Sequence, residues 1–314
     1  MIIPVVDLDN FLSGDPDKKK AFVQNLGKAF EEVGFVSVKN HGISNDLIEE
    51  LYKNVQDFFS LPLVEKQKYE IPELAGQRGY TSFGKEHAKG SDAPDLKEFF
   101  QYGQIVPANH RLKNEYPDNI DVTQVETFNV TFYKAYRAFE NSGKALLQAI
   151  ALYLALPQNY FDDNVEEGNS IVRAIHYPPI TYEPKSAIRA EQHEDINLIT
   201  LLVGASAGGL EILNRNNEWV AVTSLPDQIV VNVGDMLQRL TNNQLKSTTH
   251  RVVNPPRDLW HTSRFSIPFF LHPKSAMSLN CLTQCINNDH PKHYDDIAAG
   301  DYLDERLREI GLKK

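Results

Sequence analysis

The sequence has few cysteines, no surplus of positive charge and no long apolar run. Its 314 residues include only Cys281 and Cys285, which are too few for a disulfide framework and are typical of a reducing cytoplasm. The net charge of −10 leaves no cationic surplus for phosphates, so we expect neither nucleic acid nor a membrane surface as a partner. The chain lacks the ~20 consecutive apolar residues that span a bilayer, and its first residues lack the basic start of a signal peptide. These absences predict a soluble, cytoplasmic protein and carry no signal for an oligomeric state.

The pattern of apolar residues changes from helical to strand-like near residue 160. In the first part, Asp15-Pro16 and Ser44 are typical helix starts, and a helix is predicted after each. A longer helical region is predicted over residues 122–156. Residues 63–120 are rich in glycine, proline and charge, and we expect them to be irregular.

After residue 169, short apolar segments alternate with turn residues, which predicts the closely spaced strands of a jelly roll or barrel. The first-half helices are expected to pack on its outside, so the predicted class is mainly β with flanking helices (α+β). The predicted strands cover residues 171–177, 187–193, 198–203, 210–213, 219–222, 229–233, 236–240, 250–253 and 264–271.

With 41% hydrophobic residues, the chain is able to bury one large core. We therefore expect residues 1–314 to form a single domain. Its predicted parts are a helix-rich region over 1–165, a strand-rich core over 166–275 and a C-terminal extension over 276–314.

A candidate metal site is formed by His193 and Asp195 together with His250, which follows 57 residues after the first histidine. Alternate side chains of an extended chain face the same way, so His193 and Asp195 share a face while Glu194 points away. His250 begins a predicted strand. Two histidines and one carboxylate form the facial triad that suits Fe(II) and leaves positions open for substrate and O₂.

Arg264 and Ser266 share one face of an otherwise apolar predicted strand. A buried arginine needs an anionic partner, because an unpaired buried charge costs several kcal/mol. That partner is either an acidic side chain or the carboxylate of a ligand. Fe(II) with two neutral imidazoles and one carboxylate keeps a single positive charge, and Arg264 adds another. A dianionic keto acid such as 2-oxoglutarate would balance both charges.

Short segments along nearly the whole chain resemble the isopenicillin N synthase-like branch of the Fe(II)/2-oxoglutarate oxygenases. Each segment is short, but their order and spacing together are specific. They are Ile3-Pro4-Val5-Val6-Asp7-Leu8, Gly34-Phe35, Asn40-His41-Gly42-Ile43, Arg78-Gly79-Tyr80, Asp95-Leu96-Lys97-Glu98, His176-Tyr177-Pro178-Pro179, His193-Glu194-Asp195, Asn232-Val233-Gly234-Asp235, Thr249-His250-Arg251-Val252 and Arg264-Phe265-Ser266.

The resemblance implies a distorted jelly roll, that is, a double-stranded β-helix, with Fe(II) as the metal. It implies that Arg264 and Ser266 hold the distal carboxylate of 2-oxoglutarate and that Tyr177 hydrogen-bonds it. In such enzymes O₂ and 2-oxoglutarate give succinate and CO₂ while a C–H bond of a small molecule is oxidised, usually by hydroxylation. The iron ligands that it implies are His193, Asp195 and His250.

The resemblance also has a departure and leaves alternatives open. Ile175 stands where relatives often carry asparagine, so a keto-acid contact at that position is in doubt. Arg78 and Tyr80 lie in the irregular segment and are predicted as substrate contacts. One alternative is an oxidase of the same fold without 2-oxoglutarate, in which Arg264 and Ser266 bind the substrate's own carboxylate. Another is a non-catalytic jelly-roll ligand sensor.

Overall fold

The computed structural model describes residues 3–74, 76–86, 94–184, 186–223, 225 and 227–309. Over these residues it contains twelve β-strands and eight α-helices. The strands are β1 (Val5–Asp7), β2 (Phe35–Lys39), β3 (Gly79–Thr81), β4 (Glu98–Gly103), β5 (Ile171–Tyr177), β6 (Ala190–His193), β7 (Ile199–Val203), β8 (Leu210–Leu213), β9 (Trp219–Ala221), β10 (Gln228–Val233), β11 (His250–Val252) and β12 (Arg264–Leu271). The helices are α1 (Leu8–Leu12), α2 (Pro16–Glu32), α3 (Asn45–Phe59), α4 (Leu63–Gln67), α5 (Phe128–Tyr153), α6 (Asp162–Val165), α7 (Asp235–Leu240) and α8 (Ala299–Glu309).

The two predicted helix starts are confirmed. The Asp15 carboxylate accepts hydrogen bonds from the first backbone N–H groups of α2, and Pro16 occupies the first helical position. The Ser44 hydroxyl caps α3 in the same way by accepting from the N–H of Leu47. The long helix α5 is shorter than the predicted region because it begins only at Phe128.

The strands form two sheets. The larger sheet has the order β1-β2-β10-β7-β12-β5-β4-β3, and the smaller has the order β6-β11-β8-β9. Only the β1–β2 pair, among the described strands, is parallel. A cavity between the sheets is lined by residues of both, as in a jelly roll.

Helix α5 packs on the outer face of the larger sheet. The ring of Phe269 on β12 stacks on Phe139 of α5 at 5.3 Å between centroids, and both side chains are fully buried. Burial of each such ring contributes roughly 1.5–3 kcal/mol. Arg264 and Ser266, at alternate positions of β12, face the cavity instead. The predicted class, a mainly β jelly roll with helices packed outside, is therefore confirmed.

Two local predictions are wrong. Residues 236–240 form helix α7 and not a strand, because the backbone N–H of Asp235 bonds the carbonyl of Asp195 and the chain turns there into a helix that buries Met236 and Leu240. A short apolar run does not distinguish these two states. The segment 63–120 was expected to be irregular, yet it contains the wholly buried strand β4, which pairs with β5.

In the part of the chain that the structure describes, no helix has the length and apolar character needed to cross a membrane.

Candidate metal centre

His193, Asp195 and His250 converge at the end of β6 and the start of β11. The two strands are antiparallel and place His250 directly opposite His193, with the ring centroids 4.4 Å apart. The Nε2 atoms of His193 and His250 lie 4.0 and 3.8 Å from Oδ1 of Asp195. All three potential ligand atoms lie within 4.8 Å of one another. Two ligand atoms bound to one ion at about 2 Å lie no more than about 4 Å apart, and both Nε2–Oδ1 separations meet that limit, so the donor set fits one metal ion.

Backbone carbonyls orient both imidazoles. Nδ1 of His193 lies 2.7 Å from the carbonyl oxygen of Glu191, and Nδ1 of His250 lies 3.1 Å from that of Thr248. A carbonyl only accepts, so each Nδ1 is the protonated nitrogen and each Nε2 keeps its lone pair for a metal. Burial, and after it the nearby His250, lower the pKa of His193 to about 4, so this ring is neutral at neutral pH.

The Asp195 carboxylate is held by two hydrogen bonds on its far oxygen. Oδ2 accepts from the Thr200 hydroxyl at 2.6 Å and from the Asn232 amide at 2.8 Å, which leaves Oδ1 facing the imidazoles. Burial acts to raise the pKa of Asp195, but the two imidazoles and these hydrogen bonds together lower it below its usual range. The carboxylate therefore stays ionised and available as the single anionic ligand.

Arg264, Ser266 and Tyr177 line the same cavity as the triad. Strand β12 pairs with β5 so that Arg264 lies opposite Tyr177 and Ser266 lies opposite Ile175. Ile175 also lines the cavity, so this position, which was noted above as a departure from the resemblance, presents an apolar side chain there.

Arg264 is only 1% exposed and lacks an acidic partner among the described residues. Its Nε donates to the backbone carbonyls of Ala207 and Gly208, each at 3.1 Å, and its guanidinium carbon lies 5.0 Å from the centre of the Tyr177 ring. Its Nη1 is buried without a hydrogen-bond partner. A salt bridge within the protein would need an acidic side chain that the described residues do not supply. The carboxylate of a ligand would instead accept a hydrogen bond from Nη1 of Arg264.

Sequence reasoning missed two cationic side chains of the cavity wall, Lys97 and Arg173. Lys97 forms ion pairs of 2.7 Å with Glu86 and with Asp95, and Arg173 pairs with Glu86 at 3.3 Å. Arg173 could have been found, because the residues two and four positions before Tyr177 on β5 share its cavity face. No comparable signal exists for Lys97, which precedes a strand that the sequence does not reveal.

Arg78 and Tyr80 do not line the cavity that contains the triad. Arg78 is fully buried, its Nη1 donates to the carbonyl of Gln77, and its guanidinium packs against Gly103. The hydroxyl of Tyr80 donates to the Glu98 carboxylate. The structure thus does not bring these two side chains to the place where a substrate would meet the metal.

Two family models match this chain. The first, described as the N-terminal part of non-haem dioxygenases in morphine synthesis, matches residues 3–122. The second, described as the 2OG-Fe(II) oxygenase superfamily, matches residues 168–273, which include the triad and Arg264. The chain belongs to the 2OG-Fe(II) oxygenase superfamily.

Relatives and solved structures of this superfamily match the chain over nearly its full length. The chain is 34% identical to the proline hydroxylase buaE of Petromyces alliaceus, over 98% of this chain and 99% of the relative. It is similar to the crystal structure of a 2OG-Fe(II) oxygenase family protein from Caulobacter crescentus, with a TM-score of 0.89 and 38% identity over 98% and 99% of the two chains. It is also similar to a full-length Neurospora crassa protein solved in complex with alpha-KG and thymine, with a TM-score of 0.86 and 30% identity over 98% and 96%.

As a member of the 2OG-Fe(II) oxygenases, the protein is an oxidoreductase of the dioxygenase type. Its cofactor is Fe(II), its co-substrate is 2-oxoglutarate and its oxidant is O₂. The donor set of two imidazoles and one carboxylate fits Fe(II), and the unpaired guanidinium in the same cavity fits 2-oxoglutarate.

Proposed function

We propose that this oxygenase couples the oxidative decarboxylation of 2-oxoglutarate to the hydroxylation of a small organic molecule in the cavity between the two sheets. One observation carries the proposal. A three-residue metal site and a buried arginine with an unsatisfied donor line a single cavity. The proposed iron ligands are His193, Asp195 and His250, and the proposed keto-acid contacts are Arg264, Ser266 and Tyr177.

Each proposed residue has a role that follows from its surroundings. Bound Fe(II) supplies the activation of O₂ and the oxidising power. The two imidazoles and the carboxylate leave one positive charge on the ion, and Arg264 places a second positive charge in the wall of the same cavity. A dianion that spans the two is neutralised at both ends. Because Arg264 and Ser266 are two residues apart on β12, both contact groups face the same ligand end.

The substrate is proposed to be a small polar molecule. The relative from Petromyces alliaceus is named a proline hydroxylase, and the Neurospora crassa structure holds thymine. The cavity wall of this chain combines the paired cations Lys97 and Arg173 with apolar groups such as Phe270. Such a wall accommodates a compact molecule that has both a polar and an apolar side.

We further propose that residues 1–314 form one domain. The main cluster of buried apolar side chains includes Phe30 of α2, Phe139 of α5, Phe269 of β12 and Leu279 of the C-terminal extension. Since these segments share one core, we expect the chain to unfold in a single cooperative transition, with the same midpoint by circular dichroism and by tryptophan fluorescence.

The proposed reaction is tested by measuring succinate. Fe(II)-loaded protein is incubated in air with 2-oxoglutarate and a panel of small polar molecules, and succinate is compared with oxidised substrate. We expect a substrate to raise succinate release in step with product. The Asp195→Ala variant is the control for metal-independent decay of the keto acid.

The same assay separates the alternatives. Full substrate turnover without succinate would point to an oxidase that does not use 2-oxoglutarate. Binding of panel members with no oxygen uptake by the iron-loaded protein would point to a ligand sensor. Either result would overturn the proposed function.

A further inference from the structure

A second buried arginine lies behind the proposed keto-acid site. Arg189 immediately precedes β6 and is only 2% exposed. Its guanidinium carbon lies 5.9 Å from the centre of the Tyr177 ring, and that of Arg264 lies 5.0 Å from the same ring. Arg189 is not itself part of the cavity wall, so it reaches a ligand only through Tyr177 and through its charge.

The charge of Arg189 is not neutralised within the described part of the protein. Its Nη2 donates to the backbone carbonyl of Thr262 at 3.1 Å, while its Nε is buried without a partner. No acidic side chain of the described residues forms an ion pair with Arg189 or Arg264. Burial, and next the positive charge of Arg264, lower the pKa of Arg189 to about 10, so it is still cationic at neutral pH.

Two like charges in an apolar setting need an anion. The surrounding cluster of buried side chains is apolar and includes Tyr177, Ala190 and Val252. An uncompensated buried charge costs several kcal/mol, and two adjacent positive charges also repel each other. An arriving carboxylate reduces both penalties, whereas a ligand that is neutral at this end reduces neither.

We propose that Arg189 is a positioning residue for the co-substrate, which together with Arg264 makes this end of the cavity doubly cationic and selects keto acids that carry a second carboxylate. The inference rests on the proposed keto-acid site at Arg264, Ser266 and Tyr177. Arg189 acts in two ways: it packs against the ring of Tyr177, and its positive charge adds to the electrostatic potential that Arg264 creates at the ligand carboxylate.

The test compares two keto acids of equal length. 2-Oxoglutarate carries a distal carboxylate, and 2-oxopentanoate carries a methyl group in its place. Affinities of the Fe(II)-loaded protein for both are measured by anaerobic titration calorimetry, which needs no turnover. We expect Arg189→Met to weaken 2-oxoglutarate binding by about tenfold and to leave 2-oxopentanoate within about twofold, because only the former meets the charge. Arg189→Lys should restore most of the discrimination.

A matched control separates charge from stability. Arg78 is equally buried and also has unpartnered guanidinium nitrogens, but it packs against Gly103, whereas Arg189 lies against Tyr177; Arg78→Met should therefore leave the affinity for 2-oxoglutarate unchanged. Equal loss for both keto acids in Arg189→Met, or no loss for either, would overturn the inference.

The Arg264→Met variant tells the two proposals apart. If it leaves 2-oxoglutarate binding unchanged, the proposed keto-acid site is wrong and the inference about Arg189 falls with it. If Arg264→Met weakens binding while Arg189→Met does not, only the inference about Arg189 is wrong.

Discussion

The two ends of the cavity are built in opposite ways. At the triad end, formed by His193, Asp195 and His250, the atoms that face away from the metal position are held by hydrogen bonds from the protein. At the arginine end, Arg264 and Tyr177 line the cavity and Arg189 lies against Tyr177, and buried guanidinium nitrogens of both arginines have no partner in the described chain. The triad end is therefore organised before its ligand arrives, whereas we propose that the arginine end is completed by its ligand.

The largest expected effect is at the triad end. Asp195→Ala removes the only anionic ligand and leaves a weak site of two imidazoles, so we expect iron to be lost from the purified protein, with less than about a tenth of the wild-type content remaining. Iron is measured by a ferrozine assay after gel filtration. Wild-type iron content in this variant would refute the ligand assignment.

The next effect is at the arginine end. Arg264→Met removes the charge partner of the distal carboxylate, and we expect the affinity for 2-oxoglutarate to fall by roughly 30-fold or more. Iron content should not change, because Arg264 is not one of the proposed metal ligands. Arg264→Lys keeps the positive charge but lacks the planar guanidinium, so its affinity for 2-oxoglutarate should lie between those of the wild type and Arg264→Met. If the arginine variant lost iron instead of keto-acid affinity, the two ends would not be independent.

A smaller effect tests how the triad end is organised. Thr200→Val keeps the shape of the side chain but removes the hydrogen bond to Oδ2 of Asp195, and we expect iron affinity to fall by about tenfold. Competition with a chelator of known affinity measures the change. Unaltered iron affinity would mean that the carboxylate is held well enough by Asn232 alone.

The smallest expected effect is that of Ser266→Ala. The hydroxyl would add one hydrogen bond to a carboxylate that Arg264 already holds, so its loss should weaken 2-oxoglutarate binding by only about fivefold. The iron content again serves as the control. A loss as large as that of Arg264→Met would show that the serine, and not the charge, dominates this end.

Much of the strand framework could be predicted because it follows from local pattern. The bounds of β5, β8 and β12 agree with the predicted segments, since each alternates or clusters apolar residues between clear turn signals. Strand β4 was missed because all six of its residues are buried, including Glu98 and Gln101, so no alternation of polar and apolar positions marks it. Helix α7 was mistaken for a strand because its six residues are too few to show a helical period.

The candidate site likewise has residues that the sequence predicted and residues that it did not. The order and spacing of the histidines and the aspartate, together with Arg264 on a period-two strand, were enough to predict a shared cavity. No sequence pattern marked Lys97 or Arg189 as part of the site, because their roles depend on contacts with residues from other segments of the chain. Lys97 pairs with Glu86, and Arg189 lies against Tyr177 and Thr262.

By itself, the sequence determined which side chains share a strand face, because the two-residue repeat of an extended chain is a local property. Only the tertiary structure decided which buried charges are paired. Glu86 neutralises Lys97 from another segment, while the space around Arg264 and Arg189 receives no acidic side chain of the described residues. That difference depends on contacts between segments far apart in the chain, which local pattern does not encode.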